Sequence, residues 1–458
     1  LRHPEDGCAA LDLASMYGDL KIMALLTETM NVDSACNGGY TALHRAAHCN
    51  QPEAIELLLE AGAFVDSKDK IEWTPLFDAC AEGSTDAIVA LLRHGANRWH
   101  LARGRGLLHV AAERGHLPAV MTLLHHGRRD VGLRYGDSES SPLDFAVIAG
   151  HAGVARVLVE DGGADVNDSC SDGRTALHRA AFFNQPTAID ELFWAGANLE
   201  AETGAGCHRW TPIFDAAAAG SEEAVLALLA HGASVNALDL GGRAPLHVAM
   251  EADHAAGNLD TVVAIVRSCP AGLLDSTDSD DRTALHNAAY ADEAPAVEAL
   301  LGAGATVDTT DSSGWTPLFA ACASGSSGAV AALLQHGADV KALDLEGRSP
   351  LYLAAQLGFT GPAELLLAAG ADVTRRFGKS ECSALDLAVL EGHVEVVEAM
   401  IAHGADVDAT DRSGRTACHR ACFFDQHVVL AALAERGASV AAEDSDGRTP
   451  LDVATARG

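Results

Sequence analysis

The sequence predicts an all-α fold, a solenoid of stacked helix–turn–helix units each closed by an extended turn. Three observations predict it. A tetrapeptide of the form Thr-(Pro/Ala)-Leu-His returns about every 33 residues, a period at which a chain builds a stacked array rather than one globular core. Its Leu slot falls at Leu11, Leu43, Leu76, Leu108, Leu143, Leu177, Ile213, Leu246, Leu285, Leu318, Leu351, Leu385, Cys418 and Leu451. Behind each tetrapeptide but the last come two short apolar stretches at helical spacing, in most units separated by a Gly, Asn or Asp. Thirteen near-complete units and a final fragment account for nearly all of the 458 residues, which read as one array, 1–458.

Within one unit each element has a local cause, as residues 40–66 (YTALHRAAHCNQPEAIELLLEAGAFVD) show. Thr41 stands where an N-cap belongs, its hydroxyl placed to satisfy an orphan backbone N–H for about 1 kcal/mol. Pro75, Pro212, Pro317 and Pro350 follow the cap in sister units, at the first helical position, where proline forfeits no hydrogen bond. Leu43, Ala46 and Ala47 give the first helix a short apolar face. Asn50 then stops it, and the same slot holds Gly83, Gly115, Gly150, Asn184, Gly220, Asp292, Gly325, Gly358, Gly392 and Asp425. Only Gly, Asn and Asp tolerate left-handed geometry well, so this slot is an αL stop. A second helix follows over about 52–60, with Ile55, Leu58 and Leu59 at helical spacing. Ala61-Gly62-Ala63 ends it, and Val65-Asp66 leads into a polar turn before the next cap.

This unit, with TPLF at 74–77, APLHVA at 244–249, HGASVNALD at 231–239 and HGADVDATD at 403–411, resembles the ankyrin repeat family over essentially the whole chain. The resemblance implies a curved stack whose concave face is built from first helices and turn tips. Three places depart from the pattern. EADHAAGN is inserted after Met250 and SCPAGL replaces the usual turn near 270; residues 127–141 lack Gly-Ala-Asp-Val; the last unit lacks its second helix. Asn167 and Asn236 occupy the turn slot that an asparaginyl hydroxylase modifies in some family members.

Composition narrows the function. A formal net charge of −33 argues against nonspecific binding to DNA or anionic membranes. No apolar run approaches the roughly 20 residues of a membrane span, and no signal peptide opens the chain. The chain begins at Leu1 and stops inside a unit at Gly458, so it reads as a piece of a longer protein. Eleven scattered cysteines without a Cys-x-x-Cys pair, most in small apolar slots, read as reduced thiols of an intracellular, cytoplasmic or nuclear protein. No Walker loop, nucleophile elbow or dinucleotide fingerprint is present, so neither an enzyme nor a cofactor is expected.

A second period lies above the first. TALHRAA-type units begin at Thr41, Thr175, Thr283 and Thr416; Trp-Thr-Pro-(Leu/Ile)-Phe units follow the first three, at Trp73, Trp210 and Trp315. A duplicated block of four units accounts for this, at approximately 40–173, 174–281, 282–414 and 415–458, with 1–39 and 448–458 incomplete end units. Duplication repeats surface as well as core. On the family's concave side, partners meet the residue before the cap and the two residues after the first helix's Ala pair. The candidate partner-binding residues are therefore Tyr40, Trp73, Arg174, Phe182, Phe183, Trp210, Tyr290, Trp315, Arg415, Phe423 and Phe424. Trp, Tyr and Arg are the usual interface anchors. These junctions suit protein segments bound multivalently by a monomeric, non-catalytic scaffold; the alternative is the recognition arm of a larger kinase, ubiquitin ligase or channel.

Other residues look chemical. His44, His109, His178, His247, His286 and His419 recur once per unit, but Phe77, Phe214, Phe319 and Asp144 take the same slot, which makes them scaffold. Cys418, His419, Cys422 and His427 mimic zinc ligands, yet both cysteines replace core residues and should point into the stack. Arg45 and Arg179 are expected to pair with Asp78 and Asp215 of the following unit, leaving Arg420 opposite Val453 and unpaired. A basic patch, Arg98, Arg103, Arg105, Arg128, Arg129 and Arg134, could dock an acidic peptide, a phosphorylated partner or nucleic acid, or neutralise acidic neighbours within the array.

Overall fold

The computed structural model describes residues 9–127, 130–136, 139–204, 206, 208–250, 258–378 and 381–456. The chain divides into two compact units, Leu1–Ala216 with Ser221–Ser234, and Ala217–Gly220 with Val235–Gly458. In the first, the leading helices α1 (Ala10–Tyr17), α3 (Ala42–His48), α5 (Pro75–Glu82), α7 (Leu107–Glu113), α9 (Pro142–Ile148) and α11 (Ala176–Phe182) stack in sequence order. The trailing helices α2 (Leu20–Thr27), α4 (Pro52–Glu60), α6 (Thr85–Arg93), α8 (Leu117–His126), α10 (Ala152–Glu160), α12 (Pro186–Trp194) and α14 (Glu222–Ala230) form a parallel layer behind them. Helix α13 (Pro212–Ala219) leads the unit that α14 completes.

The second compact unit repeats the two layers. Its leading helices are α15 (Pro245–Ala249), α17 (Ala284–Tyr290), α19 (Pro317–Ser324), α21 (Pro350–Leu357), α23 (Ala384–Glu391), α25 (Ala417–Phe423) and α27 (Pro450–Thr455). Behind them run α16 (Asn258–Ser268), α18 (Ala294–Gly302), α20 (Ser327–Gln335), α22 (Thr360–Ala368), α24 (Val394–Ala402) and α26 (His427–Glu435). One antiparallel ribbon, β1 (Arg376–Phe377) with β2 (Cys382–Ser383), precedes α23, with Arg376 opposite Ser383. A 3-10 turn at Ala271–Leu273 stands where the unusual SCPAGL sequence replaced the regular turn. Residues 251–257 of the insertion lie outside the described residues.

The core follows the expected slots. Leu43, Ile55, Leu58, Leu76 and Phe77 are completely or almost completely buried, each contributing about 1.5–3 kcal/mol of transfer free energy. The αL stops are where the sequence puts them: Asn50 has φ 52°, Gly83 70°, Asn184 53° and Asp292 60°. The choice between glycine and the polar residues has a further cause. Asn50 Oδ1 accepts the Ala87 N–H at 3.0 Å, Asn184 Oδ1 that of Ala224 at 2.9 Å, and Asp292 Oδ1 that of Ala329 at 2.9 Å. Each polar stop thus caps the trailing helix of the next unit. At Gly83 a side chain is excluded as well, since a Cβ would lie 2.7 Å from the His116 ring.

The cap chemistry differs from the expectation in one respect. The Thr41 hydroxyl makes no hydrogen bond to the helix backbone. Instead His44 Nδ1 accepts both the Thr41 N–H (3.1 Å) and its hydroxyl (2.9 Å), and Thr175/His178, Thr283/His286 and Thr416/His419 repeat the pattern. The imidazole reaches back from the third helical position and takes both donors. Where that position is Asp, the hydroxyl caps as expected: Ser141 Oγ accepts from Asp144 N at 3.2 Å while Asp144 Oδ2 accepts from Ser141 N at 2.7 Å.

Candidate interaction surface

The residue before each cap is held by a loop the sequence reading had passed over. Asp69 Oδ1 accepts the N–H groups of Ile71 (2.9 Å) and Trp73 (2.8 Å), and the Asp69 N–H donates to the Trp73 carbonyl at 2.9 Å. Asp311 does the same for Trp315, and Asp411 for Arg415. The signal was an Asp four residues before the anchor, repeated at Asp239, Asp344 and Asp444. From the preceding unit, His44 Nε2 comes within 3.2 Å of that same Trp73 carbonyl, and His178, His286 and His419 meet Trp210, Trp315 and Arg448 likewise. Since Nδ1 accepts a backbone N–H, Nε2 carries the proton and donates. Burial lowers the pKa of His44, His178, His247 and His286 and takes His109 down to about 4. These neutral imidazoles tie unit to unit.

The anchor side chains divide by contact. Trp73, Trp210 and Trp315 are half-buried and lie 6.0, 6.0 and 6.2 Å, ring to ring, from the fully buried Phe77, Phe214 and Phe319. Tyr40 meets His44 edge-on at 5.8 Å, with Arg45 at 5.1 Å from its ring. Most arginine anchors are already engaged: Arg243 pairs with Asp239 and Arg348 with Asp344, both at 2.7 Å, and Arg174 with Asp172 (2.9 Å) and Asp215 (3.2 Å). Arg415 is exposed, and among the described residues only its backbone is hydrogen-bonded, both N–H and carbonyl going to Asp411.

The residues after the Ala pair are open to solvent. Phe182 and Phe183 are 48 % and 43 % exposed and meet edge to face at 5.2 Å; Phe423 and Phe424 are 40 % and 39 % exposed at 4.9 Å. Tyr290, in the same slot, is also exposed. Their backbones are pinned from the next unit, where Ser221 donates to the Phe182 carbonyl and Ser326 to that of Tyr290, both at 3.1 Å. In the first block the slot holds His48, 3.7 Å from Glu82. A groove of about 650 Å³ gathers Arg415, Arg420, Phe423 and Phe424 with Val453.

The expected ion pairs are redirected. Arg179 pairs with Asp144 of the preceding unit at 3.3 Å, and the carboxylate of Asp215 goes to Arg174 instead. Arg420 is not unpaired opposite Val453: it meets Asp386 at 3.1 Å and Asp411 at 2.7 Å. Helical side chains lean toward the N-terminus, and the Arg reaches back to the third-position Asp of the preceding leading helix. Asp78, lacking an Arg174 counterpart because Tyr40 fills that slot, is left buried, its Oδ2 without a hydrogen bond among the described residues. Burial and then the charge of Asp69 push it up to about 8, Arg45 pulling back only in part.

Within the basic patch, Arg105 pairs with Glu113 and lies 4.9 Å from the Phe145 ring, and Arg134 meets Asp168 at 2.6 Å. Arg98 donates to the carbonyls of Leu123 and Gly127 and covers Trp99. Arg103 is exposed; Arg128 and Arg129 lie outside the described residues. Among the described residues no cluster of His, Cys, Asp or Glu could hold a metal ion. Cys418 is fully buried, and both nitrogens of His419 are engaged. Asn167 bridges two turns, accepting from Asn198 N and donating to Gly196 O. The sequence reading missed Trp194, 77 % exposed on trailing helix α12 beside Phe193, which stacks on His231 at 4.1 Å.

Family models agree with this geometry. Those for ankyrin repeats match residues 1–69, 65–135, 108–203, 254–344 and 285–377, and also 385–429 and 208–240. The chain is 29 % identical over 313 residues to the human transient receptor potential cation channel subfamily A member 1, covering 65 % of this chain and 27 % of the channel. It is 43 % identical over 98 residues to the mouse B-cell lymphoma 3 protein homolog, covering 21 % of this chain and 22 % of that protein. The human ASB11 ankyrin repeat domain aligns with a TM-score of 0.44 at 28 % identity, over 50 % of this chain and 99 % of that domain. The chain thus spans about a quarter of the first relative's length. No helix among the described residues is long and apolar enough to cross a membrane.

Proposed function

The chain belongs to the ankyrin repeat family, whose arrays are protein-interaction domains, and from that premise we propose that it is a non-catalytic scaffold binding protein segments at its repeated aromatic junctions. One observation carries the reading. Phe182/Phe183 and Phe423/Phe424 are edge-to-face aromatic pairs at the same slot of duplicated blocks, each ring about two-fifths to one-half exposed. Exposing such pairs forgoes burial worth about 1.5–3 kcal/mol per ring, and a solvent-facing cluster of aromatics is the usual mark of a partner site. Two such sites on one array make binding multivalent. A monomeric array in an intracellular setting accords with the free thiols among the described residues. The net charge and the internal engagement of Arg98, Arg105 and Arg134 favour protein over nucleic acid as ligand.

A pull-down from lysate with the wild-type chain beside Phe182→Ala/Phe183→Ala tests the proposal. Partners retained by the first and lost from the second, at equal thermal stability, are expected. An unchanged set of partners would end the assignment to this junction. A second reading rests on the relatives' size: the array aligns to 27 % of the channel and 22 % of the B-cell lymphoma 3 homolog, so it also suits the recognition arm of a longer protein.

A further inference from the structure

The duplicated blocks supply their own control for what binds beside Arg415. In the second block Arg174, the residue before the cap, is held at 3.2 Å by Asp215, a carboxylate from the next leading helix. In the last block the same two slots are Arg415 and Val453. The carboxylate is gone and the arginine remains. Asp411 is taken up by Arg420 and by the backbone of its own loop. Asp444, the buried carboxylate of the next loop, is held by Arg448 at 2.9 Å. Among the groove's four arginines, Arg412 pairs with Glu381, Arg420 with Asp386 and Asp411, and Arg448 with Asp444. Of these four, Arg415 is the one whose guanidinium has no ion pair among the described residues, and it shares the groove with the exposed rings of Phe423 and Phe424.

We propose that this groove binds a segment of a partner protein carrying an Asp or Glu side chain beside a bulky apolar one. The acidic group takes the place that Asp215 holds in the second block, in contact with Arg415, and the apolar neighbour packs on Phe423 and Phe424. A guanidinium selects a carboxylate over a neutral or cationic group by charge and by its paired N–H donors. The groove, of about 650 Å³, has room for a few side chains of an extended segment. The inference rests on the scaffold reading above and gives one of its junctions a ligand class.

The test is selection of a random dodecapeptide phage library on the 458-residue chain, followed by anisotropy titration of the enriched peptides. Enrichment of Asp or Glu within about two residues of Leu, Phe or Trp is expected, since both groove features must be met at once. Affinity should fall about tenfold or more in Arg415→Glu, the loss of one charge-assisted hydrogen-bonded contact. Val453→Asp keeps every groove residue but one and rebuilds the Arg174–Asp215 pair in cis, so it should compete with the peptide and weaken binding equally while leaving the fold intact. Peptides without an acidic bias, no enriched peptide at all, or undiminished binding to Val453→Asp would each overturn the proposal. Phe182→Ala/Phe183→Ala is expected to bind the selected peptides normally. Loss of lysate partners from that variant, with failure of the groove test, would leave the scaffold reading standing and this inference alone refuted.

Discussion

His178 Nε2 lies 3.1 Å from the carbonyl oxygen of Trp210, so a neutral imidazole in one unit closes the entrance to the next. Its Nδ1 accepts the Thr175 N–H at 3.1 Å, the one hydrogen bond that N–H makes among the described residues. Removing the ring in His178→Ala leaves that buried N–H unsatisfied and opens a cavity, at a cost of about 2–4 kcal/mol. In a repeat array the loss should be local. Hydrogen exchange should accelerate at α11 and the Trp210 turn and stay unchanged at α1. Uniform acceleration along the chain would contradict a unit-to-unit role.

The same imidazoles set a pH dependence. Burial depresses the folded-state pKa of His44, His178, His247 and His286 below the ordinary 6.5 and carries His109 to about 4. Between the two values the unfolded chain binds more protons than the folded one, so stability falls as pH falls. Their contribution is intact above pH 6.5 and declines below it, that of His109 being lost between 6.5 and about 4. Asp78 works in the opposite sense. Its folded pKa, raised from 3.8 to about 8, costs stability as pH rises through that window. Melting temperature measured from pH 4 to 9 should therefore climb to about pH 6.5 and gain little beyond it; a melting point highest at pH 4 would refute the histidine account.

The second block shows how the Asp78 cost is removed. There Arg174 reaches Asp215, whereas the first block has Tyr40 in the arginine's place. Tyr40→Arg should supply the missing cation and restore the charged carboxylate. A pair involving a carboxylate this buried counts for more than a surface pair, and about 1 kcal/mol of added stability is expected at pH 8.5. At pH 4, where Asp78 is protonated in the parent chain, the gain should vanish. A variant that is equally stabilised at both values would show that packing, not charge, is responsible.

How much of this was written in the sequence depends on the range of the contact. Asn50, Asn184 and Asp292 announced helix stops because αL geometry is a property of single residues. Their second task, capping the next unit's trailing helix, joins residues 37 or more positions apart and left no local trace. The histidines were recognised as scaffold because Phe77 and Phe214 stand in for them, but nothing local said that the ring would displace the Thr41 hydroxyl from its cap. Pairing Arg179 with Asp215 assumed contact between equal slots. Neighbouring helices instead bring Arg179 and Arg420 to the unit before, where Asp144 and Asp386 wait. The aromatic junctions were legible as a pattern, yet only exposure separates Phe182 and Phe183 from Trp210, whose ring stacks on Phe214.

That separation yields the sharpest test of the surface. Trp210→Ala removes a half-buried indole from a fully buried Phe214 and should cost about 2–4 kcal/mol through lost packing. Phe182→Ala/Phe183→Ala removes two rings that are nearly half exposed and pack mainly on each other, and a change within about 1 kcal/mol is expected. Binding should rank the other way, the double phenylalanine variant losing partner affinity while remaining as stable as the parent. Chemical denaturation of both variants beside a partner titration distinguishes the roles. If the phenylalanine variant melts early while Trp210→Ala does not, the assignments are reversed: the pair belongs to the core and the indole is the contact.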